Sequence, residues 1–272
     1  MQRRKITFKL DLNAAQSARL EDWTRLHCEL YNAALEDRVD AWRKAGKSIS
    51  YCDQQNVLPQ IKADRPEFVE LGSHALQQTL RKLDLAFAAF FRRVKAGQTP
   101  GFPRFKSAKR FSGFAYPDPA GWKLMQHGGS GATLRIGSGK EAMSIRARGR
   151  HRFGPQAKPH NATLSRKGAE WFVSVTLRVP DASCARERTG DQRRGVDFGV
   201  NDWVTFDDGS TIANPRWMRV DLSRLAALQR QRARKKKGSL RFKRIGARIA
   251  RLHDRILNLR RDFVHKETTP MV

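Results

Sequence analysis

The run Gly195-Val196-Asp197-Phe198-Gly199-Val200 sets a single carboxylate on a short apolar stretch between two glycines. A side chain so flanked suits a divalent cation, because glycine lets backbone and substrate approach closely. Hydrolysis of a nucleic acid by two metals needs several carboxylates converging on ions about 3.5–4 Å apart. Asp202, Asp207, Asp208 and Asp221 follow, the first three on the turn or returning strand of a predicted hairpin. The alternative is that Asp197 only shapes a turn.

Two further patterns suit binding. Gln77, Arg81 and Asp84 align on one face of a predicted helix, as do Gln78 and Lys82. Gln and Arg on such a face can read base edges or hold phosphates, although many such faces are merely solvated. Arg104, Phe105, Lys106, Lys109, Arg110 and Phe111 then mix cations with aromatics, a pattern for single strands or RNA. A Pro/Gly linker leading into a strand explains the same residues as well.

The elements that must carry these residues follow from periodicity. Ile6 to Leu10 alternates as a strand. Asn13 is a natural N-cap for a helix with Leu20, Trp23, Leu26, Leu30 and Ala34 on one face, and Gly46 ends it. Ser50-Tyr51-Cys52-Asp53 opens a short helix, and Pro66 interrupts the chain. Leu76, Leu80, Leu83, Phe87 and Phe90 form the stripe of a longer helix and are read as core. From Gly97 to Lys106 two prolines and two glycines exclude helix. Alternation from Trp171 to Val179 predicts the clearest strand of a small antiparallel barrel or sandwich.

A third unit starts near Arg193 with the hairpin around Asp197. Leu222, Leu225 and Leu228 mark a helix, Lys235 to Ser239 a basic turn, and Phe242, Ile245, Ile249, Leu252, Ile256, Leu259 and Phe263 an apolar seam. An antiparallel helical hairpin is expected.

Charge supports a polyanionic partner. The 272 residues carry 54 Lys and Arg against 26 Asp and Glu, a net charge of +28. Residues 222–266 hold 16 basic and two acidic side chains, half of that excess. A solvated face normally mixes both signs, so phosphate contact is the reading, with Arg234, Lys235, Lys236, Lys237, Arg241, Lys243, Arg244, Arg248 and Arg251 as the candidates. At 39% hydrophobic residues the chain can fold, which excludes a disordered polycation. No apolar run approaches the roughly 18 residues of a spanning helix, so no membrane association and a cytoplasmic location are expected. Cys28, Cys52 and Cys184 show no paired spacing and are expected to be reduced, with no zinc site. Motifs for P-loop, zincin, serine-nucleophile or dinucleotide chemistry are missing.

Taken in order, several segments resemble the TnpB (OrfB) family, the RNA-guided DNA nucleases of bacterial insertion sequences related to type V CRISPR effectors. They are Tyr31 to Leu35, Gly46 to Tyr51, Ala75 to Gln78 with Phe90-Phe91-Arg92, Gly101 to Lys106, Gly195 to Gly199, Lys235 to Ser239, and Arg261 to Lys266. The resemblance implies a multidomain α+β chain. Residues 1–12 and 101–185 would form a wedge β-barrel, 13–100 an inserted helical recognition lobe, and 193–272 part of a RuvC/RNase H-like domain bearing the basic hairpin. It implies guide RNA and double-stranded target DNA as partners, and a DNA motif read by Tyr51, Ser73, His74, Gln77 and Arg81. Arg104, Lys106 and the hairpin cations would hold nucleic-acid backbone. Asp197 takes the place of the first catalytic carboxylate and would bind Mg²⁺. The family's second carboxylate, four-cysteine zinc element and last Asp would fall beyond Val272. A C-terminally truncated chain that binds without cleaving is therefore expected, with a nuclease-dead guided repressor or a decayed fragment as alternatives.

Overall fold

The computed structural model describes residues 2–127, 131–137, 139, 142–149, 151, 153–168, 170–180 and 194–270. Cys184 and Arg193 lie outside them. The chain forms two compact units, Met1–Ala185 and Arg186–Val272.

In the first unit, strand β1 (Gln2–Asp11) is followed by α1 (Ala14–Ala45), α2 (Tyr51–Asn56), α3 (Leu58–Asp64), a 3-10 turn (Pro66–Leu71) and α4 (Ser73–Lys95). Then come β2 (Ala115–Tyr116), β3 (Trp122–Gln126), β4 (Ala132–Ile136), β5 (Met143–Arg148), β6 (Lys158–Lys167) and β7 (Glu170–Val179). These seven strands make one antiparallel sheet in the order β2-β6-β7-β1-β5-β4-β3. The described ladders contain no pairing between the two ends, β2 and β3.

The alternation read from the sequence sets the sheet's inner face. Ile6, Phe8 and Leu10 on β1, and Trp171, Val173, Val175, Leu177 and Val179 on β7, are buried. They share a core with Leu20, Trp23, Leu26 and Leu30 of α1 and Leu76, Leu80 and Leu83 of α4. The ends of α1 are as expected. Asn13 accepts from the Gln16 amide while the Gln16 side chain accepts from the Asn13 amide, closing a capping box. Gly46 ends the helix in the left-handed region at φ 63°.

The α4 stripe departs from expectation at its C-terminal end. Leu76, Leu80 and Leu83 are buried, but Phe87 and Phe90 are only partly so. Lys82 differs too: its ammonium lies 4.9 Å from the Phe111 ring centre, and desolvation holds its pKa below the usual lysine value.

In the second unit, β8 (Val196–Asp197), β9 (Asp202–Phe206) and β10 (Thr211–Ala213) form an antiparallel sheet in the order β10-β9-β8. Helices α5 (Trp217–Ala233) and α6 (Leu240–Thr268) follow as the expected helical hairpin. Ser239 caps α6 by accepting from the Phe242 amide, and Gly238 turns the chain at φ 89°. Leu225, Leu252 and Ile256 form a small buried cluster, with Leu228 and Ile249 against it. Ile245 of the seam is buried as well, whereas Leu259 of the seam and Leu222 of α5 are exposed.

Candidate nucleic-acid interface

The first two turns of α4 and the start of α2 gather the candidate motif-reading residues of the first unit. Ser50 caps α2 in a capping box with Asp53, which places Tyr51 at the first helical position. Arg81 lies over the Tyr51 ring, its guanidinium carbon 5.5 Å from the centroid. Asp84 holds it there, accepting from Arg81 Nη1 at 2.9 Å and from Arg38 Nη1 at 3.4 Å. Arg38 also donates to Gln54 Oε1 at 2.9 Å, and Gln54 donates to the Ala34 carbonyl at 2.7 Å. The position of Arg81 is thus fixed from the interior outward.

Along α4, Ser73, Gln77 and Arg81 follow one another at four-residue spacing, with His74 beside them. Lys62 donates to the Ser73 hydroxyl. His74 Nδ1 lies 2.6 Å from Asp118 Oδ2. Desolvation works against ionising Asp118, but the Ala120 amide and His74 prevail and hold its pKa below the usual carboxylate value. Gln77 is half-buried, and its carboxamide has no hydrogen bond among the described residues.

The 101–106 segment is fastened to α1 through Asn32. Its side chain accepts from the Lys106 amide at 2.9 Å and donates to the Lys106 carbonyl at 2.8 Å. The Lys106 ammonium lies 4.0 Å from the Tyr31 ring centre, half-buried. Burial, and next the charge of Lys82, push its pKa down. Arg104 is exposed with no ion pair among the described residues. The two candidate backbone cations of this segment therefore differ: Arg104 is open to a phosphate, whereas Lys106 already has aromatic partners.

In the second unit Asp197 is exposed and pairs in register with Thr205 of β9. The turn after it needs glycine, because a Cβ on Gly199 would sit 2.9 Å from the Asp202 carbonyl oxygen. Two of the carboxylates that follow it, Asp207 and Asp208, are engaged elsewhere. Asp207 Oδ2 accepts from the Gly195 amide at 2.8 Å, and Asp208 pairs with Arg194. Among the described residues no three His, Cys, Asp or Glu side chains gather to hold a metal ion. As described, the residues around Asp197 do not make a Mg²⁺ site, and no catalytic step is assigned to them.

The helical hairpin is the strongest electrostatic feature. Arg234, Lys235, Lys236, Lys237, Arg241, Lys243 and Arg244 are exposed around its turn. Arg248 and Arg251 instead join Arg224 and Arg255 around a groove of about 630 Å³ between α5 and α6, with Leu228 and Leu252 at its base. None of these four arginines has an ion pair among the described residues. By contrast, first-unit arginines are repeatedly paired, as in Arg19–Glu70, Arg65–Glu67 and Arg148–Asp11. Arginines that converge without carboxylates repel one another, and an anion relieves the repulsion. Arg224 and Arg255 were missed from the sequence. A signal exists, since Arg248, Arg251 and Arg255 each precede a seam residue by one position, putting them on the face that flanks the helix contact.

The family profile described as "Probable transposase" (OrfB_IS605) matches residues 172–272. A protein of Streptomyces pristinaespiralis named "Putative RNA-guided DNA endonuclease" is 33% identical, over 97% of this chain and 62% of its own length. Another of Escherichia coli, "Putative RNA-guided DNA endonuclease InsQ", is 29% identical over 88% of this chain and 56% of its own. The chain therefore spans about three fifths of these curated relatives. Among solved structures, a Cas12f1–sgRNA–target DNA complex aligns with 95% of this chain and 62% of its own protein chain. The TM-score is 0.55 at 12% identity, a likeness of fold. No helix among the described residues is long and apolar enough to cross a membrane.

Proposed function

We propose that this chain, as a member of the TnpB (OrfB) family, supplies the nucleic-acid-holding part of a transposon-encoded, RNA-guided DNA endonuclease. Guide RNA and double-stranded target DNA are the partners. The observation that carries this reading is the α5–α6 hairpin, where unpaired arginines line a groove and a lysine turn extends it. Such a surface binds phosphates by counterion release and is indifferent to sequence, which suits a protein whose specificity comes from base pairing.

On this reading the seven-stranded sheet, whose end strands β2 and β3 do not pair in the described ladders, takes the place of the wedge barrel, α1 to α4 are the recognition lobe, and the second unit is the RuvC-like portion. Tyr51, Ser73, His74, Gln77 and Arg81 face the DNA motif. Gln77 and Arg81 offer side-chain donors one helical turn apart, while the Tyr51 ring and Asp84 keep Arg81 in place. Arg104 and the hairpin cations hold backbone. Asp197 stands at the position of the first catalytic carboxylate. No group of three metal-ligating side chains forms among the described residues, so binding is what they explain.

The test is guided binding. The purified chain is mixed with RNA transcribed from the end of its own element, and a labelled duplex matching the guide is titrated in. Binding that requires both the guide match and the flanking motif is expected. Equal binding to matched and unmatched duplexes would refute the guided reading.

A further inference from the structure

The helical part of the first unit contains a groove of about 780 Å³, lined by Trp42, Ile49, Phe87, Phe90, Phe91 and Phe102. The α4 stripe leaves the core here. Phe102 comes from the segment that Asn32 fastens to α1, and it meets Phe87 and Phe90 edge-on at 5.6 and 5.3 Å between centroids. Phe91 meets Phe90 edge-on at 5.2 Å. Trp42, Phe91 and Phe102 are 65%, 56% and 50% exposed, so much of their ring surface stays open.

Charge selects the occupant. The two chain segments bounding the groove, 38–50 and 84–106, carry nine basic and two acidic side chains. Both acids are already paired within the unit, Asp40 with Lys44 and Asp84 with Arg38 and Arg81. Arg43 lines the groove itself, and exposed Arg92, Arg93 and Lys95 follow Phe91 on α4. An apolar slot with a cationic rim matches a ligand that combines a flat aromatic face with an anion. An uncharged apolar partner would leave that rim unused.

We infer that this groove stacks unpaired bases of a single-stranded nucleic acid, with Arg43 and the cations after Phe91 taking the adjoining phosphates. Bases of an intact duplex are already stacked on one another and do not enter. The inference rests on the nucleic-acid reading above and adds to it a site separate from the motif-reading face and the basic hairpin.

The test compares two labelled 12-nucleotide strands of equal charge, one of RNA and one abasic, on the purified full chain. Phe91→Leu with Phe102→Leu keeps apolar volume and removes the aromatic faces. The RNA strand is expected to bind the variant about tenfold more weakly, the scale of one lost base–aromatic stack, with the abasic strand unchanged. Trp42→Leu, at an exposed position, gives a second variant with the same expectation should the double one fail to fold. Equal RNA affinity of wild type and variant overturns the inference while leaving the proposed function intact. A dimer of the wild type that the variant abolishes assigns the groove to a second copy and also overturns it. Failure of the wild type to bind either strand overturns both readings.

Discussion

Arg81 lies over Tyr51, with 5.5 Å from its guanidinium carbon to the ring centre, and Asp84 ties it down from the next turn of α4. Two residues 30 positions apart in sequence thus act as one platform. An arginine so held loses less rotamer freedom when it contacts a base edge or phosphate.

Removing either member should therefore cost recognition. Tyr51→Ala and Arg81→Ala are each expected to lower the preference for the motif-bearing duplex over random duplex about tenfold, as for one lost directed contact. Melting temperature should barely move for Arg81→Ala, because exposed ion pairs contribute little, and should fall for Tyr51→Ala, whose ring packs against the core of the first unit. Competition binding with the two duplexes reads the preference directly. Tyr51→Phe, which retains the ring under Arg81, should behave like the wild type.

The arginine groove makes a salt prediction. Changing Arg224, Arg248, Arg251 and Arg255 together to Gln removes four unpaired charges while keeping long polar side chains. The slope of log affinity against log salt should then fall by about 2.8 to 3.6, at roughly 0.7–0.9 per phosphate contact. Affinity measured from 50 to 200 mM salt decides it. An unchanged slope would show that phosphates do not enter the groove.

Asn32→Ala should free the 101–106 segment. Both bonds to the Lys106 backbone are lost, and with each worth on the order of 1 kcal/mol the expected destabilisation is about 2 kcal/mol. Hydrogen exchange should rise most at Lys106. Because Phe102 is on the same segment, binding of single strands should weaken in the same variant.

His27 sets a pH dependence. It is buried between Thr79, whose hydroxyl is 2.7 Å from Nδ1, and the stacked ring of Phe114. Desolvation, reinforced by the Lys82 charge, lowers its pKa to about 3. The unfolded chain regains an ordinary histidine pKa of about 6.5, so below that pH it binds a proton that the folded state refuses. Stability should be unaffected by His27 above pH 6.5 and should fall by up to about 1.4 kcal/mol per pH unit between there and pH 3. Comparing melts of wild type and His27→Gln across pH 4–7 isolates this contribution. Parallel curves would show that His27 is not its source.

Much of the architecture was legible because it depends on local rules. Asn13 and Gly46 bound α1 through backbone groups that those residue types satisfy. Alternation fixed the buried faces of β1 and β7, and the seam of α6 announced the helical hairpin. The charge of 222–266 was legible as well, since sixteen cations against two anions leave little internal pairing.

What stayed hidden depends on which surfaces meet. Spacing read Phe87 and Phe90 as core, but Phe87 packs only at the core's margin, and both rings stay partly exposed where Phe102 comes in from the segment after α4. The contact of Lys106 with Tyr31, set by the hold of Asn32 on its backbone, has no signal in the sequence. Arg224 and Arg255 belong to no linear motif and become neighbours of Arg248 and Arg251 only when α5 and α6 pack. Composition and periodicity determined the elements and their charge, whereas burial, pairing and exposure of individual side chains were decided by tertiary contacts between residues far apart in the chain.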